Sequence, residues 1–95
     1  MNRLVLAAQV QEQGTTRYTP AGLPAVDLTL LSESEVVQDG HPRMVRLDIR
    51  AVAIGQQVCA QVRSLSLEAR KTFTGFLAPS RNGKGLVFHI TDIHD

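Results

Sequence analysis

The chain has 95 residues, a length that accommodates one compact domain and excludes two. Its 43% hydrophobic and 20% charged residues are ordinary for a folded domain, and no apolar run reaches the roughly 18 residues that a membrane helix needs. The single cysteine, Cys59, excludes a disulfide framework and a multi-cysteine zinc module, so we expect a cytoplasmic protein with one domain over residues 2–94.

Charge is distributed unevenly along the chain, although the net charge is only +1. Residues 1–42 carry two basic and five acidic side chains, whereas residues 43–84 carry eight basic and two acidic ones. Eight of the ten basic residues are arginines, whose planar guanidinium suits phosphate binding and stacking on bases. The basic block therefore indicates either a surface for a polyanion or an ordinary solvated face.

Alternating apolar and polar residues predict three strands in the first half of the chain. The first strand covers residues 4–10 and is followed by a turn-rich stretch, residues 14–24; the second strand covers residues 26–30. The polar segment 32–42, which contains an Asp-Gly pair, is predicted to be an exposed loop. The third strand, residues 44–51, directs its arginines and its apolar residues to opposite faces.

The second half of the chain predicts one helix and two more strands. Val58, Val62 and Leu65 recur at helical spacing within residues 56–65, and strands follow over residues 70–78 and 86–91 with a glycine-rich turn between them. This order predicts an all-β fold, the five-stranded Greek-key barrel of an OB-fold with a short helix between strands 3 and 4. A six-stranded barrel or a half-sandwich of another topology also fits the pattern.

Several segments are similar to one known family. Residues 2–6, the loop 19–24, and Gly75-Phe76-Leu77 followed by residues 86–90 resemble bacterial single-stranded-DNA-binding proteins with an OB-fold, and the primosomal members of that family in particular. The resemblance spans nearly the whole chain. It implies a homodimer without enzymatic activity or cofactor, which binds single-stranded DNA and the primosomal helicase PriA, together with other primosome proteins, to promote replisome reloading in replication restart.

The resemblance also implies three DNA-contacting regions. These are the loop between strands 1 and 2, strand 3 with the residues just before it, and the loop between strands 4 and 5. The side chains at the matching positions are Arg17, Tyr18, His41, Arg43, Arg46, Arg50, Arg81 and Lys84. Tyr18 suits either stacking on a base or anchoring a long loop.

The chain departs from the pattern of the family at several positions. Arg46 stands where a strand-3 Trp is usual, His41 replaces a Phe, and Glu33 falls where a basic residue is expected. Because stacking on an aromatic ring contributes roughly 1–3 kcal/mol per base, these departures predict weaker and more electrostatic DNA binding. The alternative function is an OB-fold adaptor that binds protein and retains only weak or vestigial nucleic-acid binding. An RNA-binding module and an enzyme fit the residues less well.

The remaining apolar and metal-ligating side chains give two further expectations. Phe73 and Phe88 are predicted in the core, whereas outward-facing apolar residues predict a surface covered by a second subunit; these are Val5, Leu31, Phe76 and Val87. His89 and Asp92 fall on opposite faces of a strand, and the other candidate ligands lie at the chain end, so no metal site is expected.

Overall fold

The computed structural model describes all residues, Met1–Asp95, as five strands and one helix. The elements are β1 (Leu4–Tyr18), β2 (Pro24–Gln38), β3 (His41–Ile54), α1 (Gln56–Arg63), β4 (Arg70–Pro79) and β5 (Leu86–His94). The strands form a closed barrel in the order β1-β2-β3-β5-β4, in which β4 pairs again with β1. Only β3 and β5 pair in parallel. This arrangement confirms the OB-fold and the position of the helix between β3 and β4.

The inward faces of the strands and one face of α1 share a single hydrophobic core. Phe73 and Phe88 are completely buried at its centre, as predicted. The helix contributes Val58, Cys59 and Val62 to the same core, so it closes one end of the barrel. The thiol of Cys59 donates to the carbonyl oxygen of Ala53 at 3.1 Å, and burial raises the pKa of this thiol, so Cys59 is a protonated packing residue. The eight-residue α1 is too short to cross a membrane.

The first strand is longer than the alternation predicts. Residues 14–18, which we expected in a turn, continue β1 and pair with β2 as far as Tyr18. Two register irregularities, between Val10 and Glu12 and between Gln13 and Thr16, interrupt the ladder. Such irregularities shift side chains between faces, which is why the strand is not visible as a period of two. The actual turn comprises only residues 19–23, and its ends are joined by the Thr19 amide and the Leu23 carbonyl at 2.8 Å.

The predicted loop 32–42 is in fact a β-hairpin. β2 continues to Gln38, and β3 begins at His41 directly opposite it. Asp39 and Gly40 both have positive φ, 53° and 76°, as a two-residue type I′ hairpin turn requires. β1 stops pairing with β2 at Leu31, so residues 32–47 form a two-stranded ribbon beyond the barrel, here called the β2–β3 arm.

One of the four predicted outward apolar residues is not available for a partner. Leu31 is only 8% exposed, because it lies in register between Gln9 of β1 and Asp48 of β3 and is covered from both sides. Val5 and Phe76 are 53% and 39% exposed, and Val87 is half-buried.

Two glycines meet geometric needs that no other residue meets. Gly55 connects β3 to α1 at φ 111°, a conformation that L side chains rarely adopt. Gly75 lies at a register irregularity in β4, where an added Cβ would stand 1.8 Å from the carbonyl oxygen of His89. β4 and β5 can therefore approach closely at this point only because residue 75 lacks a side chain.

Candidate nucleic-acid interface

A groove of about 710 Å³ crosses the outer face of the barrel. Its floor comes from β2 and β3, where the outward residues alternate with the core residues Leu28 and Ala51. The end of β1 lies at one side of it, and β5 and the loop after β4 lie at the other. The groove is identified by the following lining residues: Arg17, Asp27, Thr29, Arg50, Val52, Ser80, Arg81, Asn82 and His89.

Arg17 is held at the groove by Asp27. Its Nε donates to one carboxylate oxygen at 2.7 Å and its Nη2 donates to the other at 3.0 Å, a bidentate pair. This hydrogen bonding holds the pKa of Asp27 below its usual range and raises that of Arg17; Arg81 lowers the pKa of Asp27 further through its charge. Asp27 therefore places a fixed negative charge among the groove arginines.

Arg50 and Arg81 are the two groove arginines without an ion-pair partner. Arg50 stands opposite Thr29 on the outer face of β3 and forms no salt bridge with the neighbouring Asp48. Arg81 is exposed in the loop between β4 and β5. Their donors are therefore free for an anionic ligand that enters the groove.

Arg46 lies on the same face of β3 as Arg50, but farther out, on the β2–β3 arm. It is directly opposite Glu33 in register, and its Nη1 lies 3.7 Å from the Glu33 carboxylate. Arg46 and Glu33, which both depart from the family pattern, thus face each other and form one ion pair. Both side chains are well exposed, so this pair adds little stability and a phosphate can compete for Arg46.

His41 and Arg43 are not brought to the groove. Both lie near the turn of the β2–β3 arm, and strand alternation points them away from the face that carries Arg46. The Nη1 of Arg43 donates to the side chain of Gln38 at 2.8 Å. Of the four candidates in this region, only Arg50 lines the groove itself.

Lys84 and Tyr18 flank the groove without lining it. The loop that carries Lys84 is closed by the Ser80 amide, which donates to the carbonyl of Gly85 at 3.1 Å, and Lys84 is exposed without an ion pair. Tyr18 is 70% exposed at the end of β1, where it points to the side opposite Arg17.

Sequence reasoning missed several groove residues, of which Asp27, Thr29 and His89 are the most important. All three lie on the polar side of an alternating strand, which is a signal that the sequence carries. The sequence does not show that β5 lies beside β3, which is what brings His89 to the groove, because this parallel pairing joins distant segments.

A closed OB-fold barrel with an arginine-bearing groove across β2 and β3 defines a domain of the oligonucleotide-binding class. The model of a single-strand binding protein family matches residues 2–92, and the chain belongs to this family.

The chain is similar to several proteins of known identity, three of which come from bacteria. Replication restart protein PriB of Bordetella pertussis is 51% identical over 81 residues, which cover 85% of this chain and 75% of that protein. The solved structure of PriB from Ralstonia solanacearum has a TM-score of 0.89 at 33% identity and covers 99% of this chain and 96% of its own. A small single-stranded-DNA-binding protein from Streptomyces coelicolor shares the fold, with a TM-score of 0.74 at 16% identity over 98% of this chain and 92% of its own.

Proposed function

We propose that this protein binds single-stranded DNA along the groove and acts without catalysis. The observation that carries the proposal is that Arg17, Arg50 and Arg81, which come from three separate chain segments, line one groove. Guanidinium groups recognise phosphates through paired N–H donors, and phosphate contacts carry no sequence information. Binding is therefore largely independent of sequence.

The bound DNA strand follows the basic side chains that have no ion-pair partner. Arg50 and Arg81 contact phosphates inside the groove, and Lys84 extends the path at the loop between β4 and β5. Arg17 contributes only when it exchanges Asp27 for a phosphate, and Arg46 only when it exchanges Glu33. His41, Arg43 and Tyr18 make secondary contacts with a longer strand.

The biological role that we propose is replication restart, on the basis of the restart proteins to which the chain is similar. In this role the protein holds single-stranded DNA for the primosomal helicase and binds that helicase directly.

We also propose that two copies associate. Residues 4–8 of β1 pair with β4 alone, so the other edge of this stretch has no strand partner, and Val5 is exposed beside it. An unpaired edge with an apolar neighbour favours pairing with a second chain. Sedimentation at micromolar concentration is expected to give the mass of two chains; the mass of one chain would contradict this.

The test of DNA binding is fluorescence anisotropy with a labelled thymine oligomer at low salt. Arg50→Ala and Arg81→Ala should each weaken binding several-fold, because each removes one phosphate contact. The matched control is Arg63→Ala, which removes an exposed arginine of α1 outside the groove and should leave the affinity unchanged. Absence of binding by the wild-type protein, together with retained binding to the helicase, would favour the protein-binding adaptor instead.

A further inference from the structure

Phe76 and His89 form a stacked aromatic pair on the outer face of the barrel. They are direct register partners on β4 and β5, with ring centroids 4.8 Å apart and ring planes inclined by 9°. This is the spacing of a favourable offset stack. Phe76 remains 39% exposed, so the pair stands at the surface and does not belong to the core.

The register places His89 between the groove and Phe76. His89 is paired with Val52 of β3 on one side and with Phe76 of β4 on the other. Val52 and His89 line the groove, whereas Phe76 does not. Because one face of the imidazole is occupied by Phe76, its other face is directed toward the groove.

We propose that the imidazole of His89, backed by Phe76, is a stacking surface for one base of the bound DNA strand. The proposal rests on the proposed function, since it needs a strand in the groove. Histidine is among the side chains on which unpaired bases stack. Phe76 is a positioning residue, which holds the imidazole plane in the orientation that a base needs.

The surroundings favour a nucleotide over another planar ligand. Arg50 and Arg81 line the same groove as His89, so phosphates on both sides of a stacked base find cations. No other aromatic ring serves this groove: Phe73 and Phe88 are buried, and Tyr18 points away from it. The pair therefore offers an aromatic surface in a chain that has Arg46 in place of a strand-3 Trp.

The test compares a thymine oligomer with an abasic oligomer of the same length, which keeps the phosphates but lacks the bases. His89→Leu keeps a side chain of similar bulk and removes the ring; it should weaken thymine binding at least about fivefold and leave abasic binding unchanged. Phe76→Leu should act in the same direction with a smaller effect. Lys84→Ala is the matched control and should weaken binding of both oligomers equally, because it removes a phosphate contact.

A measurement on the wild-type protein avoids dependence on the folding of the variants. The ring protons of His89 should shift upfield in NMR spectra when the thymine oligomer binds, and should not shift when the abasic oligomer binds. Equal loss for both oligomers in His89→Leu, or His89 signals that do not move, would overturn the stacking surface while leaving DNA binding intact. A change of sedimentation mass in Phe76→Leu would assign the pair to a subunit interface instead. Failure of the wild-type protein to bind either oligomer would refute the proposed function and the stacking surface together.

Discussion

Removing the carboxylate of Asp27 should tighten DNA binding. The carboxylate holds both donors of Arg17 at 2.7 and 3.0 Å. A phosphate in the groove that approaches the far side of that guanidinium stands about 6–7 Å from the carboxylate, which repels it by about 0.6 kcal/mol in water and about 2.5 kcal/mol at the lower dielectric of a protein surface. Because both side chains are substantially exposed, the value near that for water applies. Asp27→Asn should therefore bind a thymine oligomer about threefold more tightly at low salt.

The assay is anisotropy at several salt concentrations, where the variant should also show a steeper salt dependence because Arg17 becomes available to a phosphate. Asp95→Asn is the matched control, since it makes the same charge change and breaks a pair with Lys71 outside the groove. Equal affinities of Asp27→Asn and the wild-type protein would refute the reasoning.

Lowering the pH to mildly acidic values does not remove the charge of Asp27 as the substitution to Asn does. Arg17 holds the pKa of Asp27 below its usual range, so the carboxylate stays ionised down to about pH 4. Because the pKa of Asp27 is lower in the folded state than in the unfolded state, where it is about 3.9, the ionised carboxylate stabilises the fold above that pH. This stabilisation is lost as the pH falls through the folded-state pKa. The exposure of the pair keeps this contribution small.

Three further substitutions test the fold and the β2–β3 arm. Val62→Asp should lower the free energy of unfolding by several kcal/mol, because it places an unpaired charge at a completely buried position; a melting temperature within two degrees or so of the wild type would contradict this. Gly75→Ala should lower the denaturation midpoint clearly, because its Cβ would meet the His89 carbonyl oxygen at 1.8 Å, and an unchanged midpoint would show that β5 can shift freely. Arg46→Trp should strengthen binding to thymine oligomers and flatten the salt dependence by exchanging the ion pair with Glu33 for a stacking ring; no effect in anisotropy would show that the arm lies off the DNA path.

The sequence predicts the barrel well where one face of a strand is buried along its whole length. Val26, Leu28 and Leu30 alternate without interruption, and all three are buried as expected. The end of β1 is not predicted, because its register irregularities interrupt the alternation of apolar and polar residues. Residues 32–43 of the β2–β3 arm are not predicted as strand because this part of the ribbon has no core to face, so its residues are polar or exposed and resemble a loop.

The candidate site, like the fold, is predicted only in part from the sequence. The resemblance to the single-stranded-DNA-binding family predicts Arg17, Arg50 and Arg81 as DNA contacts, and the structure places all three at one groove. The ion-pair partners of Arg17 and Arg46 are not predicted from the sequence, because the contacts with Asp27 and with Glu33 depend on exact strand register. Strand alternation, by contrast, is visible in the sequence, and it separates Arg43 from Arg46 because the two residues lie three positions apart on one strand.

The central claim, that single-stranded DNA binds through the unpaired cations of the groove and its rim, is tested most directly by the salt dependence of wild-type binding. Arg50, Arg81 and Lys84 have no ion-pair partner, so about three phosphates are neutralised and the plot of log K against log salt should have a slope near −2, at roughly 0.7 per contact. Lys84→Ala should make that slope shallower by about 0.7 and weaken binding to all sequences alike. Undetectable binding at low salt, or an affinity that does not change with salt, would contradict the account.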